Sequence, residues 1–164
     1  MKEQKFNFIR FLYLSFLTFF GSGLSPKAPG TVGSLATIPL IYLIEYLHIS
    51  FQWVLFGVIL LTIISCFVAD YAQKQEKIHD PGWIVIDEVI GMLVTWLFVF
   101  PSTEPLTLIS LFILFRFFDI VKIFPANWCD KNITSGAGTI IDDVVSALYA
   151  GIILSAGTYF HLIQ

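Results

Sequence analysis

Seven carboxylates stand in three short polar segments of an otherwise apolar chain. Asp80, Asp87 and Glu88 lie in HDPGWIVIDE (79–88), Asp119 and Asp130 in FRFFDIVKIFPANWCDKN (115–132), and Asp142 and Asp143 in GAGTIIDDVVSALYAG (136–151). Like charges gathered this way repel unless a cation joins them. The donors are oxygens, with no His/Cys cluster, so Mg²⁺ suits them better than zinc. Mg²⁺ commonly takes one or two carboxylates and fills its shell with substrate phosphate oxygens. It polarises a phosphoryl group and acidifies a bound water. Arg116, Lys122 and Lys27 are the cations available to neutralise a phosphate. The chemistry indicated is metal-dependent work on, or binding of, a phosphorylated lipid.

Each segment also has a plainer reading. Asp87 and Glu88 open the run WIVIDEVIGMLVTWLFVF (83–100). An Asp at the centre of a membrane helix costs roughly 3 kcal/mol, so something should offset it. Acids favoured by a helix N-terminus would be the simple account, but Ile84, Val85 and Ile86 before them are already apolar. Neighbours on a helix point about 100° apart, so one acid is expected to bind metal while the other orients a water or a second group. His79, beside a turn, reads as a solvated side chain sooner than a proton carrier.

Arg116, Asp119 and Lys122 recur every three residues and form one stripe if helical. That is either a salt-bridge ladder or a cation–acid–cation set for a phosphate and its metal. Pro125 is expected to end this helix, leaving Asp130 and Lys131 in a loop. Asp142 and Asp143 follow a glycine-rich turn and enter a helix, where one of them could be an N-cap. In GSGLSPKAPGTVGS (21–34) glycines permit close backbone approach. Thr31 or Ser34 is expected to cap the following helix, whose amides favour an anion. With Lys27 this reads as a phosphate cradle or as a turn ahead of a helix.

The elements that must position these groups are apolar. Hydrophobic residues make up 57% and charged residues 13% of 164, and the mean hydropathy is +0.82. Soluble domains carry about 25% charged residues, so this chain belongs in a bilayer. A net charge of −3 and a pI near 5.5 argue against a nucleic-acid partner, which needs a basic surface. Cys66 and Cys129 form no CxxC pair. Ser135 stands six residues after Cys129, where a cysteine-phosphatase loop would have Arg.

We expect an all-α, multi-pass membrane bundle forming a single domain over 1–164. Spans are expected at 31–47, 53–69, 84–100, 106–118 and 144–162, with an interfacial or partly embedded helix within 1–20. That first helix imitates a signal peptide, but the specialised segment after it argues against cleavage. The basic residues Lys2, Lys5, Arg10, Lys27, Lys74, Lys77, Arg116, Lys122 and Lys131 fall on one side of this arrangement. The positive-inside rule makes that side cytoplasmic. Nearly all the acids share it; Glu45 and Glu104 fall near the outer connections.

The four polar segments, in this order and at these distances, resemble the phosphatidylglycerophosphatase A family over about residues 21–151. The resemblance implies a bacterial inner-membrane, Mg²⁺-dependent phosphatase with its active-site face in the cytoplasm. Such an enzyme removes the terminal phosphate of phosphatidylglycerophosphate to give phosphatidylglycerol, after the CDP-diacylglycerol-dependent synthase. It implies Asp80, Asp87, Glu88, Asp119, Asp142 and Asp143 as catalytic acids, and Asp87, Glu88, Asp119, Asp130, Asp142 and Asp143 as metal ligands. Arg116 and Lys122 carry over as cations, beside Lys27, Thr31 and Ser34 from the glycine-rich segment. Asp70 has no counterpart. Where the family pattern has Lys-Pro-x-Pro this chain has Lys122-Ile123-Phe124-Pro125, which predicts a less rigid helix end around Lys122. The main rival is an ion or phosphate-linked transporter, but transporters place acids near the midplane in repeated, broken helices. Here the acids gather on one face and no repeat is visible.

Overall fold

The computed structural model describes residues 8–160 and Leu162. Lys2, Glu3, Lys5, the start of the expected first helix and position 161 lie outside them. Among the described residues there are helices and turns and no strand. The helices are α1 (Phe8–Leu17), α2 (Pro29–Tyr46), α3 (Phe51–Glu76), α4 (Ile86–Leu97), α5 (Pro105–Val121), α6 (Ala126–Asn132) and α7 (Gly136–Tyr159). A 3₁₀ turn, Ser22–Leu24, precedes α2. Pro29 and Pro105 open α2 and α5, where a missing N–H leaves no bond unmade.

The helix that bears Asp87 and Glu88 departs most from expectation. Instead of a lipid-facing span over 84–100, α4 has 12 residues, about 18 Å of helix against a hydrocarbon layer of about 30 Å. Nine of those twelve residues are buried. It is the core of the bundle, wrapped by α2, α3, α5 and α7. Small residues let its neighbours close in. A Cβ on Gly91 would overlap the ring of Phe115, and one on Gly151 would overlap that of Phe98.

α3 and α7, of 26 and 24 residues, are long and apolar enough to cross a membrane. The α3 side chains Phe56, Ile59, Ile63 and Phe67 are exposed, as on a lipid-facing helix. The helices on the other expected spans are shorter, with 18 residues in α2 and 17 in α5.

Two expectations about helix ends are corrected. Pro125 does not end α5; it stands at the N-cap of α6, so Asp130 and Lys131 are helical rather than in a loop. α5 stops at Val121 because Lys122 adopts a left-handed conformation with φ 46°. The glycines before Asp142 do not form a flexible turn, and neither acid is an N-cap. α7 begins at Gly136, which places both acids nearly two turns inside it. Gly136 is there for packing, since a Cβ on it would overlap the backbone of Asp70 on α3.

The starts of α2, α4 and α7 meet the ends of α3 and α5 at one pole. Gly30 abuts Glu88, Arg116 reaches Glu88, and Gln73 Nε2 donates to Thr139 Oγ1 at 2.9 Å. The polar segments are gathered there.

Candidate active site

Three carboxylates converge at this pole. One oxygen each from Asp87, Glu88 and Asp143 lie within 4.8 Å of one another. The divergence expected of adjacent helical acids is therefore overcome. Asp87 Oδ1 folds back to accept the backbone N–H of Glu88 at 3.0 Å, and the longer Glu88 side chain supplies the remaining reach. α7 brings Asp143 in from across α4. Asp87 and Asp143 are buried and Glu88 nearly so. Glu88 Oε2 and Asp143 Oδ2 are buried without a hydrogen-bond partner among the described residues. Such oxygens are costly unless something satisfies them. A hard cation bound by carboxylate oxygens would do so, and the donor set fits Mg²⁺.

The expected stripe on α5 divides in two. Arg116 Nη1 donates to Asp119 Oδ2 at 2.5 Å and reaches Glu88 Oε1 at 3.5 Å. Asp119 in turn is close enough to Asp143 for their charges to interact. This half joins the converging acids, and Arg116 Nε remains buried without a hydrogen-bond partner among the described residues. Lys122 leaves the stripe because its left-handed backbone redirects the side chain. Its Nζ donates to Asp142 Oδ2 at 2.5 Å and to Asp130 Oδ1 at 2.7 Å. Burial acts to lower the Lys122 pKa, but the hydrogen bonds to Asp130 and Asp142 and their charges prevail, so the ammonium is held above the ordinary lysine range. Asp130 thus stands around Lys122 rather than with the three converging carboxylates. Asp142 keeps Oδ1 buried and without a partner among the described residues. Asp80, exposed in the turn before α4, is close enough to Asp142 for their charges to interact.

The glycine-rich segment arrives differently from the expectation. Ala28 is at the N-cap of α2 with φ 47°, so neither Thr31 nor Ser34 caps the helix. Ser34 is fully buried and donates to Gly30 O at 2.8 Å, which removes it from reach of a phosphate. Thr31 is half-buried in the first turn and Lys27 is exposed. Gly30 makes the close approach instead, with Glu88 Cδ 3.0 Å and Arg116 Nη1 3.1 Å from where its Cβ would be.

The sequence reading passed over two further groups. Gln73 is buried and ties α3 to α7 beside the acids; its only signal was a polar side chain in a long helix. Glu76 accepts from Arg10 Nε at 2.8 Å and from Tyr13 Oη at 2.5 Å, fastening α1 to the end of α3. His79 is exposed, and Cys129 is buried in α6.

Residues 15–158 match the family described as phosphatidylglycerophosphatase A. A phosphatidylglycerophosphatase A of Escherichia coli strain K12 is 38% identical over 146 residues, 87% of this chain and 82% of that protein. One from Haemophilus influenzae strain Rd is 39% identical over 144 residues, 87% of this chain and 86% of that protein. A protein of Bacteroides thetaiotaomicron is 33% identical over 147 residues, 87% of this chain and 91% of its own length. It carries the provisional name phosphatidylinositol-3-phosphatase. No solved structure matches the chain.

Proposed function

The chain belongs to the phosphatidylglycerophosphatase A family, membrane-associated phosphomonoester hydrolases of phospholipid biosynthesis, and from that premise we propose how it works. It hydrolyses the terminal phosphate of phosphatidylglycerophosphate, using Mg²⁺ held by Asp87, Glu88 and Asp143. The observation that carries this reading is their convergence, with Glu88 Oε2 and Asp143 Oδ2 buried and, among the described residues, unpartnered. When bound, the ion supplies polarisation of the phosphoryl group and a more acidic water.

The protein groups do the rest. Arg116, braced by Asp119, offsets the charge around Glu88 and adds a cation for the phosphate. Lys122 does the same beside Asp142. Asp80 is exposed in the turn before α4, close enough to Asp142 for their charges to interact. The first turn of α2 abuts Glu88 at Gly30, and the exposed Lys27 just precedes that turn.

The protein lies in a bacterial inner membrane. α3 and α7 cross it and the shorter helices pack between them as a multi-pass bundle. The polar pole, which carries Lys27, Lys74, Lys77, Arg116, Lys122 and Lys131, faces the cytoplasm. The substrate then comes from the inner leaflet with its head group at the pole.

Phosphate release by purified protein in detergent tests this, with Mg²⁺ and then with EDTA. Substrates are phosphatidylglycerophosphate, phosphatidic acid and phosphatidylinositol 3-phosphate. Release that needs Mg²⁺ and is fastest from phosphatidylglycerophosphate is expected. No release from folded protein under either condition overturns the reading. Faster release from phosphatidylinositol 3-phosphate would reassign the substrate while keeping the chemistry.

A further inference from the structure

A cavity of about 520 Å³ opens on the side of the bundle between α3, α4 and α7. That is within the range of small-ligand sites, roughly 300–1,000 Å³. Val58 and Ile63 of α3, Val94 and Leu97 of α4, and Val144 and Leu148 of α7 form its walls. Phe51 and Phe98 line its far end. The lining side chains are aliphatic or aromatic apart from Thr62, whose hydroxyl already donates to Val58 O at 2.8 Å. The occupant this lining recognises is a hydrocarbon chain.

The position of the groove says which chain. Val144 directly follows Asp143 on α7. Val94 is seven residues after Asp87 on α4, within about 20° of the same helical face and about 10 Å further along the axis. The near end of the groove therefore begins just beneath the converging carboxylates. From Ile63 back to Phe51 its α3 wall runs for about 18 Å, more than half of a hydrocarbon layer of about 30 Å. A second apolar groove, between α5 and α7, serves as the contrast. It is lined by Ile113, Leu114, Ile153 and Phe160 near the other end of α7, away from Asp143.

We propose that the α3–α4–α7 groove is the acyl-chain site of the lipid substrate, holding one fatty-acyl chain while the head-group phosphate meets Asp87, Glu88 and Asp143. The proposal rests on the phosphatase reading of those acids and extends it to how a diacyl lipid is selected. The groove makes chain length a determinant of KM, because each methylene held there adds close contacts with its walls.

The test uses Leu55→Trp and Phe51→Trp in the full chain. Both positions lie in the far half of the groove, about 12 and 18 Å beyond Ile63 along α3, and are exposed at 38% and 41%, so a larger side chain fills the groove there without entering the core or meeting a short chain. Phosphate release is measured on dioleoyl and dihexanoyl phosphatidylglycerophosphate in detergent. Filling the far half of the groove should raise KM for the dioleoyl substrate several-fold, because the excluded part of the chain loses its packing against the groove walls. The dihexanoyl substrate should be turned over as by the wild type, which also shows the variants are folded. Ile153→Trp, in the other groove, should change neither. An unchanged dioleoyl KM in both groove variants, or a parallel loss on both substrates, overturns the acyl site. If the wild type hydrolyses neither lipid, the phosphatase reading fails on its own. The groove is then judged by native mass spectrometry with dioleoyl phosphatidylglycerol. Retention by the wild type that both variants lose supports it, and equal retention overturns it.

Discussion

Lys122, at the end of α5, holds its ammonium 2.5 Å from the carboxylate of Asp142 on α7. A second bond, 2.7 Å to Asp130, ties in α6. One side chain thus fastens three helices at the polar pole. The other oxygen of Asp142, Oδ1, is buried without a hydrogen-bond partner among the described residues. Removing the lysine would leave the buried Asp142 carboxylate without its cation, which destabilises the folded state.

Lys122→Met should therefore lower the melting temperature in detergent and abolish phosphate release. Lys122→Met combined with Asp142→Asn should recover most of the stability, because the stranded charge is gone, but not the activity. Thermal unfolding with phosphate release on the three proteins checks this. An unchanged melting temperature in Lys122→Met would show that the pair does not hold the helices.

Asp87→Asn and Asp143→Asn probe the metal. Each keeps the side-chain shape and removes one charge from the three converging carboxylates. Activity should fall by about 100-fold or more, the scale on which a preorganised electrostatic group acts. Mg²⁺ should stabilise the wild type against heat, since a ligand bound to the folded state adds to stability. The variants should lose that response. Near-wild-type turnover in folded Asp87→Asn would take Asp87 out of the site.

Cys129→Ser should stay active. The thiol is buried in α6, and the chain has no Arg six residues on to cradle a phosphate beside it. A folded but inactive Cys129→Ser protein, measured by the same phosphate assay, would reopen a thiol mechanism.

The acids were legible in the sequence because carboxylates in apolar segments stand out against their surroundings. Asp87, Glu88 and Asp143 share a site because α4 and α7 both begin at one pole, and that common origin could be read from the alternation of polar and apolar segments. The surroundings of α4 could not. A run such as VIGMLVTWL looks the same whether lipid or protein surrounds it, and the burial of Trp96 and Ile90 follows from helices distant in sequence. The i,i+3 spacing foretold the Arg116–Asp119 pair. It misplaced Lys122, since one left-handed residue ends α5 and no periodicity announces that. Ser34 looked like a cap because hydroxyls favour helix starts. With α2 beginning at Pro29, the hydroxyl instead lies inside the first turns and bonds back to Gly30.

Gly30 offers the sharpest separation of activity from stability. It is the second residue of α2, and a methyl group there would overlap Glu88 Oε1 and crowd Arg116 Nη1 at 3.1 Å. Two effects oppose each other in Gly30→Ala. Alanine favours the helix by about 1 kcal/mol over glycine. The added methyl displaces the tip of Glu88, a flexible side chain that can swing aside at modest cost. The melting temperature should therefore change little. Activity should fall by about 100-fold, because a shift of about 1 Å in a positioning group is enough for that. Mg²⁺ should also stabilise this variant less than the wild type, since the displaced carboxylate is one of the three that converge. Wild-type turnover in a folded Gly30→Ala protein would mean that the position of Glu88 does not matter, and the metal would then have to be held by Asp87 and Asp143 without it.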